Sequence, residues 1–252
     1  MPAFHNATIL ITGAASGIGS AAAHLLASRG AARLILFDLD EDRLQQVSTS
    51  LTCETSLLVG DVSNEALWAG AELEGLTHTV ANAGIAASDS IDRLSLSEWR
   101  RVMAVNLDGV FLTLKAAMAA MKRGGKGGAI VVTASVAGFK VEPGIAAYAA
   151  SKAAAIQLAR VAAKEGAPDR IRVNSIAPGG VETPIWYGVP GFKEMAEAQG
   201  ERGAFDAMSA IATPLGRFAS ANEVAEQILF LLSDSCASTT GPCLVTDGGY
   251  SL

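Results

Sequence analysis

Seven short hydrophobic runs recur along the chain, and longer stretches with helical spacing separate them. The runs cover residues 8–11, 33–37, 56–59, 78–81, 129–133, 172–176 and 243–246. Each run is continuously apolar rather than alternating, which is typical of strands that are covered on both faces. The pattern predicts an α/β fold, a Rossmann-type doubly wound parallel sheet with helices on both faces.

The positions of predicted helix starts support this alternation of strands and helices. Two serine-led segments, 95–98 and 220–223, have the pattern of a capping box and predict helix starts. Apolar residues between 98 and 121 follow near-helical spacing and predict one long helix. Residues 183–217 are rich in Gly and Pro and contain several aromatic side chains, and they fit the alternation of strands and helices least well. We predict that they form a loop region that covers the substrate, because loops of that length are often lids.

Composition predicts a single domain, residues 1–252, with a small-molecule partner. Half of the 252 residues are hydrophobic, which is enough for one full core. The formal net charge of -6 argues against a nucleic-acid partner. We recognise no signal peptide and no membrane-spanning run, and therefore expect a cytoplasmic protein without a membrane partner. The three cysteines lack metal-site spacing and are expected to be reduced thiols; we predict no metal site.

Tyr148 and Lys152 are the most informative pair of residues. On a helix, positions i and i+4 lie on the same face, so the phenol and the ammonium can act at one place. A free tyrosine titrates near ~10, and a neighbouring cation lowers that pKa toward the range useful for proton transfer. Taken alone, the pair also fits an exposed Tyr and Lys on an ordinary helix.

A glycine-rich turn follows the first hydrophobic run. Its sequence is Thr12-Gly13-Ala14-Ala15-Ser16-Gly17-Ile18-Gly19, and a helical run begins directly after it. Glycines let the backbone approach a pyrophosphate, and the helix N-terminus adds free N–H groups and a favourable dipole. The turn predicts a dinucleotide site formed by Gly13, Ser16, Gly17, Ile18 and Gly19, although a glycine triplet alone also fits a plain tight turn.

Asp38 ends the second hydrophobic run, where a carboxylate can bind the two hydroxyls of an adenosine ribose. A helix cap or a surface charge is the alternative interpretation. With the glycine turn in place we prefer the ribose role. Because a carboxylate repels a 2'-phosphate and Leu39 offers no cation to bind one, we predict NAD rather than NADP as the cofactor.

Taken together, the motifs resemble those of the short-chain dehydrogenase/reductase family, and the resemblance spans nearly the whole chain. It is carried by the glycine turn, Asp61-Val62, Asn82-Ala83-Gly84, Asn106, Ser135, Tyr148 with Lys152, Pro178-Gly179, Thr183 and Asp247-Gly248-Gly249. The chain departs from the commonest family pattern at Ala81 and Ala134, where Asn and Ser are frequent. The interval from Asp61 to Asn82 is also shorter than usual, so the helix around Trp68 should be short.

The resemblance implies a catalytic unit of Asn106, Ser135, Tyr148 and Lys152. Tyr148 would exchange the hydroxyl proton of the substrate, and Ser135 would bind the carbonyl oxygen. Lys152 would lower the pKa of the tyrosine and bind the nicotinamide ribose, while Asn106 would hold a water that links Lys152 to solvent.

The resemblance also assigns cofactor contacts at other strand ends. Asp61 and Val62 would contact the adenine, and Asn82 and Gly84 would form the cofactor-side wall of the cleft. The implied contacts close to the nicotinamide are Tyr148, Lys152, Pro178, Gly179, Val181 and Thr183. A homo-oligomer, most often a tetramer, is implied as well.

These observations predict an NAD-dependent oxidoreductase that interconverts a secondary alcohol and a ketone. The expected substrate is hydrophobic, cyclic or aromatic, because the predicted pocket wall is mostly apolar. That wall comprises Ile85, Val136, Phe139, Val141, Trp186, Tyr187, Val189, Phe192 and Met195, with Glu142 as a further candidate.

Three other functions stay open. A 3-oxoacyl thioester reductase or 3-hydroxyacyl dehydrogenase could use the same scaffold, although NADPH would then be the more expected cofactor. A non-catalytic dinucleotide-sensing protein would predict a damaged Tyr148 or Lys152. A methyltransferase would leave that pair unexplained.

Overall fold

A seven-stranded parallel sheet forms the centre of the computed structural model, which describes residues 4–189 and 191–252. The strands of the chain are β1 (Thr8–Thr12), β2 (Arg33–Asp38), β3 (Glu54–Val59), β4 (Leu76–Ala81), β5 (Gly128–Thr133), β6 (Ile171–Pro178), β7 (Val181–Glu182), β8 (Ala219–Ser220) and β9 (Cys243–Thr246). The large sheet has the order β3-β2-β1-β4-β5-β6-β9, and β7 pairs with β8 in a separate short ladder. All seven predicted hydrophobic runs lie in strands of the large sheet, so the predicted fold is confirmed.

Helices cover both faces of this sheet. They are α1 (Gly17–Ser28), α2 (Glu41–Ser50), α3 (Glu65–Ala69), α4 (Leu96–Met103), α5 (Gly109–Gly124), α6 (Ala146–Gly166), α7 (Phe192–Ala212) and α8 (Ala221–Leu232). Ile9 and Ile11 of β1 pack in a core with α1, α2 and α8, whereas Leu10 packs in a second core with α3, α5 and α6. Burial on both faces explains why the inner strands β1, β2 and β5 are continuously hydrophobic, whereas the edge strands β3 and β9 are only partly buried.

The order of the strands positions the functional cleft. The chain runs outward from β1 to β2 and β3, then returns to the other side of β1 as β4. In such open sheets the loops that follow β1 and β4 diverge, and a crevice forms at the carboxyl ends of the strands. The glycine turn and Asn82 each follow one of these two strands and therefore meet at the crevice.

The predicted helix starts and helix lengths are largely confirmed. Ser220 and Glu223 form a complete capping box, but Ser95 forms only half of one. The carboxylate of Glu98 instead takes two hydrogen bonds from Arg101, at 2.9 and 2.6 Å. As predicted, α3 is short and contains Trp68.

The predicted long helix is continuous but contains an irregular turn. A π-helical turn, Ala104–Asp108, joins α4 to α5. By length and composition the combined helix, Leu96–Gly124, is the one segment among the described residues that could cross a membrane, although no spanning run was expected. In this fold it packs against β4 and α6 as a core helix.

The prediction of a loop region at residues 183–217 is wrong in its secondary structure. Most of the segment is helical, because a 3₁₀ helix, Pro184–Gly188, is followed by α7. Phe192, Phe205 and Phe218 bury one another in a small separate core, which stabilises α7 without the main sheet. Gly200 interrupts the helix with a φ of +78°, a value that favours glycine.

Arg172 on β6 closes the carboxyl end of α8. Its guanidinium donates hydrogen bonds to the carbonyl oxygens of Leu231, Leu232 and Ser233 at 2.9, 2.8 and 3.1 Å. The last carbonyl groups of a helix lack partners within the helix and carry the negative end of its dipole. Arg172 therefore supplies both hydrogen bonds and a favourable charge.

We expect Arg172→Met to lower the free energy of unfolding by about 3 kcal/mol, because it leaves these carbonyl groups without their charged donor. Urea denaturation followed by circular dichroism measures this loss. The matched control is Arg43→Met, which removes a largely exposed ion pair with Asp40 and should cost about 0.5 kcal/mol or less. Equal losses in the two variants would contradict the capping role.

Candidate active site

A cleft of about 880 Å³ opens along the carboxyl ends of the central strands. Nearly all the predicted site residues border it: Gly13, Ser16, Gly17, Ile18, Asp38, Asp61, Val62, Asn82, Gly84, Ser135, Tyr148, Lys152, Pro178, Gly179, Val181 and Thr183. The two exceptions are Gly19 and Asn106, which are both buried. The structure thus brings residues from the whole length of the chain to one site.

The glycine turn fits the pyrophosphate of a dinucleotide. Gly13 and Gly17 have φ values of +67° and +52°, and a Cβ at Gly19 would collide with the carbonyl oxygen of Gly13. Ser16 is the N-cap of α1, and its side chain makes no capping hydrogen bond within the described structure. The first N–H groups of α1 are therefore available to an anion at the helix N-terminus.

Asp38 is held beside this turn by two backbone groups. Its Oδ2 accepts a hydrogen bond from the N–H of Ala15 at 2.9 Å, and its Oδ1 accepts one from Asp40 at 3.1 Å. The neighbouring Leu39 is exposed and uncharged. The carboxylate therefore presents a fixed negative charge to this end of the cleft.

Asp61 has a local structural role in addition to its place in the cleft wall. Its Oδ1 accepts hydrogen bonds from the backbone and the hydroxyl of Ser63, at 2.8 and 2.7 Å. Val62 is buried, and its side chain contacts the position where Gly109 lacks a Cβ. These contacts fix the turn after β3.

Tyr148 lies in the first turn of α6, and Lys152 lies one turn further on. The Lys152 ammonium is buried, donates to the carbonyl oxygen of Thr133 at 2.9 Å and lies 5.7 Å from the centre of the Tyr148 ring. Burial lowers the pKa of Lys152 to about 8. The two residues thus share one face, as predicted.

The expected lowering of the tyrosine pKa by Lys152 is not what the structure shows. Burial raises the pKa of Tyr148, and the neighbouring Ser135 hydroxyl offsets this only in part. Lys152 directs its bond to Thr133 rather than to the phenol. Desolvation of the phenolate therefore outweighs the stabilising contacts in this geometry.

Ser135 follows β5 and is both a cap and a member of the cleft wall. Its Oγ accepts a hydrogen bond from Ala137 at 3.2 Å, which starts the 3₁₀ turn Val136–Gly138. The hydroxyl also lies 3.5 Å from the carbonyl oxygen of Pro178, to which it can donate. Ser135 therefore caps this turn and also borders the cleft, which is compatible with the role that the family resemblance implies.

Asn106 positions the site from behind the cleft wall. Its Oδ1 accepts from the N–H of Ile85 at 2.8 Å, and its Nδ2 donates to the Ile85 carbonyl at 2.9 Å and to the Ser151 hydroxyl at 3.1 Å. It lies in the π-helical turn, a feature that frequently occurs at functional sites. Asn106 thus anchors the loop after β4 directly. The water that it would hold for Lys152 stays a prediction.

Ser151 is a positioning residue that the sequence analysis missed. It receives the bond from Asn106 and donates to the carbonyl oxygen of Tyr148 at 2.7 Å, so it links the loop after β4 to α6. The sequence did contain one indication of this role, because Ser151 lies between Tyr148 and Lys152 on the same helix. Gly84 allows this close packing, because a Cβ there would lie 3.2 Å from Lys152 Nζ and 3.3 Å from Asn106 Oδ1.

The predicted apolar wall is only partly correct. Ile85, Val136, Trp186, Val189 and the further candidate Glu142 border the cleft. The residues that do not border it are Phe139, Val141, Tyr187, Phe192 and Met195.

Packing explains these exceptions. Phe192 is buried in the small aromatic core, with Met195 packed against it. Tyr187 is half exposed and bonds Glu201, while Phe139 and Val141 are exposed to solvent.

Four wall residues on distant segments were not anticipated. They are Met208 and Ala212 on α7, Phe218 directly before β8, and Tyr250 in the C-terminal segment. Sequence periodicity carries no signal for contacts of this kind, because they depend on how α7 packs against the segments around it.

Comparison with known proteins identifies the family of this chain. A family model described as enoyl-(acyl carrier protein) reductase matches residues 13–251. A cis-4-hydroxycyclohexanecarboxylate dehydrogenase from Sinomonas cyclohexanicum is 37% identical over 267 residues, covering 99% of this chain and 98% of that protein. A cyclohexanol dehydrogenase from Acinetobacter sp. (strain SE19) is 35% identical, covering 98% of this chain and 96% of that protein.

A solved structure shares both fold and sequence with this chain. The crystal structure of a short-chain type dehydrogenase/reductase from Mycobacterium marinum superposes with a TM-score of 0.85 at 31% identity. The match covers 99% of this chain and 96% of that chain. With these comparisons and the cleft geometry together, the resemblance noted in the sequence is confirmed, and the chain belongs to the short-chain dehydrogenase/reductase family.

Proposed function

We propose that this chain is an NAD-dependent oxidoreductase that interconverts a secondary alcohol and a ketone on a hydrophobic, cyclic substrate. The observation that carries the proposal is one cleft that holds Ser135, Tyr148 and the buried Lys152 beside the glycine turn. Relatives named as dehydrogenases of cyclohexanol and of a hydroxycyclohexanecarboxylate support a cyclic substrate.

The chain has groups that suit each part of a nicotinamide dinucleotide. The glycine turn and the N-terminus of α1 would hold the pyrophosphate, Asp38 the adenosine ribose, and Asp61 and Val62 the adenine. Lys152 would bind the nicotinamide ribose, and Val181 and Thr183 would bind the carboxamide. When bound, the nicotinamide supplies the hydride acceptor for oxidation and the hydride donor for reduction.

The protein's own residues handle the proton at the substrate oxygen. In oxidation Tyr148 takes the hydroxyl proton, and in reduction it returns a proton to the carbonyl oxygen. Ser135 donates a hydrogen bond to the same oxygen and stabilises the charge that develops there. Lys152 stays bound to the Thr133 carbonyl, and its remaining N–H groups would hold the nicotinamide ribose.

A 3-oxoacyl thioester reductase is the second candidate, because the matching family model is described as an enoyl-(acyl carrier protein) reductase, which also acts on an acyl chain. NADPH is the expected cofactor of such a reductase. Asp38 disfavours this candidate, since a fixed carboxylate repels the 2'-phosphate of NADPH. A dinucleotide sensor without turnover is disfavoured by the intact set of Ser135, Tyr148 and Lys152.

We also propose a cytoplasmic homotetramer. The packing of the long apolar helix against the sheet supports a location away from membranes. Phe111 on α5 and Val161 on α6 are about half exposed and offer apolar surface on the two long helices for subunit contacts.

Replacing the proton-transfer group tests the proposed reaction. We expect Tyr148→Phe to lower kcat for cyclohexanol oxidation by about 1000-fold, because the variant has no hydroxyl with which to exchange the proton. NADH binding, measured by fluorescence titration, should stay within about twofold of wild type, since the ring is retained. The matched control is Tyr187→Phe, which removes an exposed hydroxyl that does not border the cleft. Near-normal activity in Tyr148→Phe would refute the mechanism.

Cofactor preference depends on Asp38. We expect wild type to favour NAD over NADP by about 100-fold in kcat/KM, and Asp38→Ser to reduce that ratio about tenfold or more. Steady-state kinetics with both cofactors measure the ratio. Asp42→Ser removes a nearby exposed carboxylate on α2 and should leave the ratio unchanged. A wild-type preference for NADP would overturn the assignment.

The buried ammonium predicts a pH dependence of stability. Because burial lowers the pKa of Lys152 to about 8, the unfolded state binds more protons than the folded state between pH 8 and the ordinary lysine value of 10.5. The free energy of unfolding of wild type, minus that of Lys152→Met, should therefore rise by about 3 kcal/mol across this window. Urea titrations without added dinucleotide measure it. The exposed Lys164→Met on the same helix serves as control, and a pH-independent difference for Lys152 would contradict the shift.

A further inference from the structure

A cluster of three polar side chains interrupts the apolar wall at the substrate end of the cleft. Lys140 and Glu142 come from the segment between Ser135 and Tyr148, and Tyr250 comes from the C-terminal segment. All three border the same cleft as Tyr148. We name them the Lys-Glu-Tyr cluster.

The Lys140 ammonium is engaged within the cluster. Its Nζ donates to the backbone carbonyl oxygen of Tyr250 at 2.9 Å, lies 3.3 Å from Oε1 of Glu142 and sits 3.4 Å from the centre of the Tyr250 ring. These contacts hold the positive charge of Lys140 against Glu142 and Tyr250 within the cluster.

The Tyr250 hydroxyl also forms a hydrogen bond within the cluster. It donates to Oε1 of Glu142 at 2.7 Å, and the carboxylate and the burial together raise the pKa of Tyr250 to about 12. The same two partners, Tyr250 and Lys140, hold the pKa of Glu142 below its usual range. Glu142 is thus a carboxylate, and Tyr250 is a neutral phenol whose proton points at it.

Both protein donors act on one oxygen of the Glu142 carboxylate. Oε1 receives Tyr250 and Lys140, while Oε2 has no hydrogen-bond partner among the residues that the structure describes. The cluster therefore offers a free acceptor, Oε2 of Glu142, at the cleft wall. A substrate hydroxyl can donate to this oxygen, whereas a substrate carboxylate has no proton to donate to it.

Arg101 is a further cation that borders the cleft. Its Nε and Nη2 form a two-pronged pair with both oxygens of Glu98, at 2.9 and 2.6 Å. This pairing compensates the charge of Arg101. The remaining wall here is apolar, with Val136, Val189 and Phe218 among its members.

We propose that Glu142 is a specificity-determining residue that accepts a hydrogen bond from a second hydroxyl of the substrate, remote from the reacting carbon. The preferred substrates are then cyclic diols and hydroxy ketones. This inference rests on the proposed alcohol dehydrogenase function and names its substrate class.

Kinetics with three matched ring alcohols test the proposal. The probes are cyclohexane-1,4-diol as its cis and trans isomers, cyclohexanol, and trans-4-hydroxycyclohexanecarboxylate, each oxidised with saturating NAD. We expect wild type to favour the better diol isomer over cyclohexanol by about tenfold in kcat/KM, a moderate effect because the Glu142 side chain is 38% exposed. The carboxylate should be a poorer substrate than cyclohexanol.

Two variants and one control isolate the role of Glu142. Glu142→Leu should remove the preference for the diol, and Glu142→Gln should reduce it and improve the carboxylate, because the negative charge is gone. Glu165→Gln removes an exposed carboxylate on α6 that does not border the cleft and should leave the ratio as in wild type.

The possible failures are distinguishable. If wild type binds NADH but oxidises none of the three alcohols, the proposed function is overturned together with the inference. If wild type oxidises them with a diol-to-cyclohexanol ratio near one, or if Glu142→Leu keeps the wild-type ratio, the inference alone is overturned. A wild-type preference for the carboxylate would assign an anion site in the cleft to Arg101 and Lys140 and would also overturn it.

Discussion

The geometry of the active site depends on the bond between the buried Lys152 ammonium and the carbonyl oxygen of Thr133. A cation removed from water is costly unless a partner compensates for its lost hydration, so this bond holds α6 against the end of β5. Tyr148 lies one turn away on α6, and Ser135 lies two residues beyond Thr133. One contact thus brings Tyr148 and Ser135 to the same cleft.

A second set of contacts joins this pair of elements to the cofactor side. Asn106 binds the backbone of Ile85 and the hydroxyl of Ser151, and Ser151 in turn binds the carbonyl of Tyr148. The loop after β4 is therefore tied to the helix that carries the tyrosine. Gly84 completes the arrangement, because any Cβ there would crowd Lys152 and Asn106. These contacts fix the position of α6 relative to the loop after β4.

The region over the substrate end of the cleft depends on contacts between residues that are distant in sequence. Glycine and proline predicted a loop at residues 183–217, yet aromatic side chains bury one another and stabilise two helical segments there. Trp186 stacks on Phe218 with ring centres 5.2 Å apart, so the wall is built from residues far apart in sequence. The Lys-Glu-Tyr cluster is likewise made by two distant segments. Substrate selection therefore depends on long-range packing, whereas the cofactor half depends on local motifs.

By itself the sequence determined the seven strands of the large sheet, the glycine turn, the carboxylate at Asp38 and the shared face of Tyr148 and Lys152. These features are local, since they depend on periodicity, on glycines where a Cβ would clash and on i, i+4 spacing. Only the tertiary structure decided that Asn106 and Ser151 form one network, that burial raises the pKa of Tyr148, and which aromatic side chains border the cleft. The physical reason is that desolvation and side-chain pairing are set by neighbours that the folded chain brings together from distant positions.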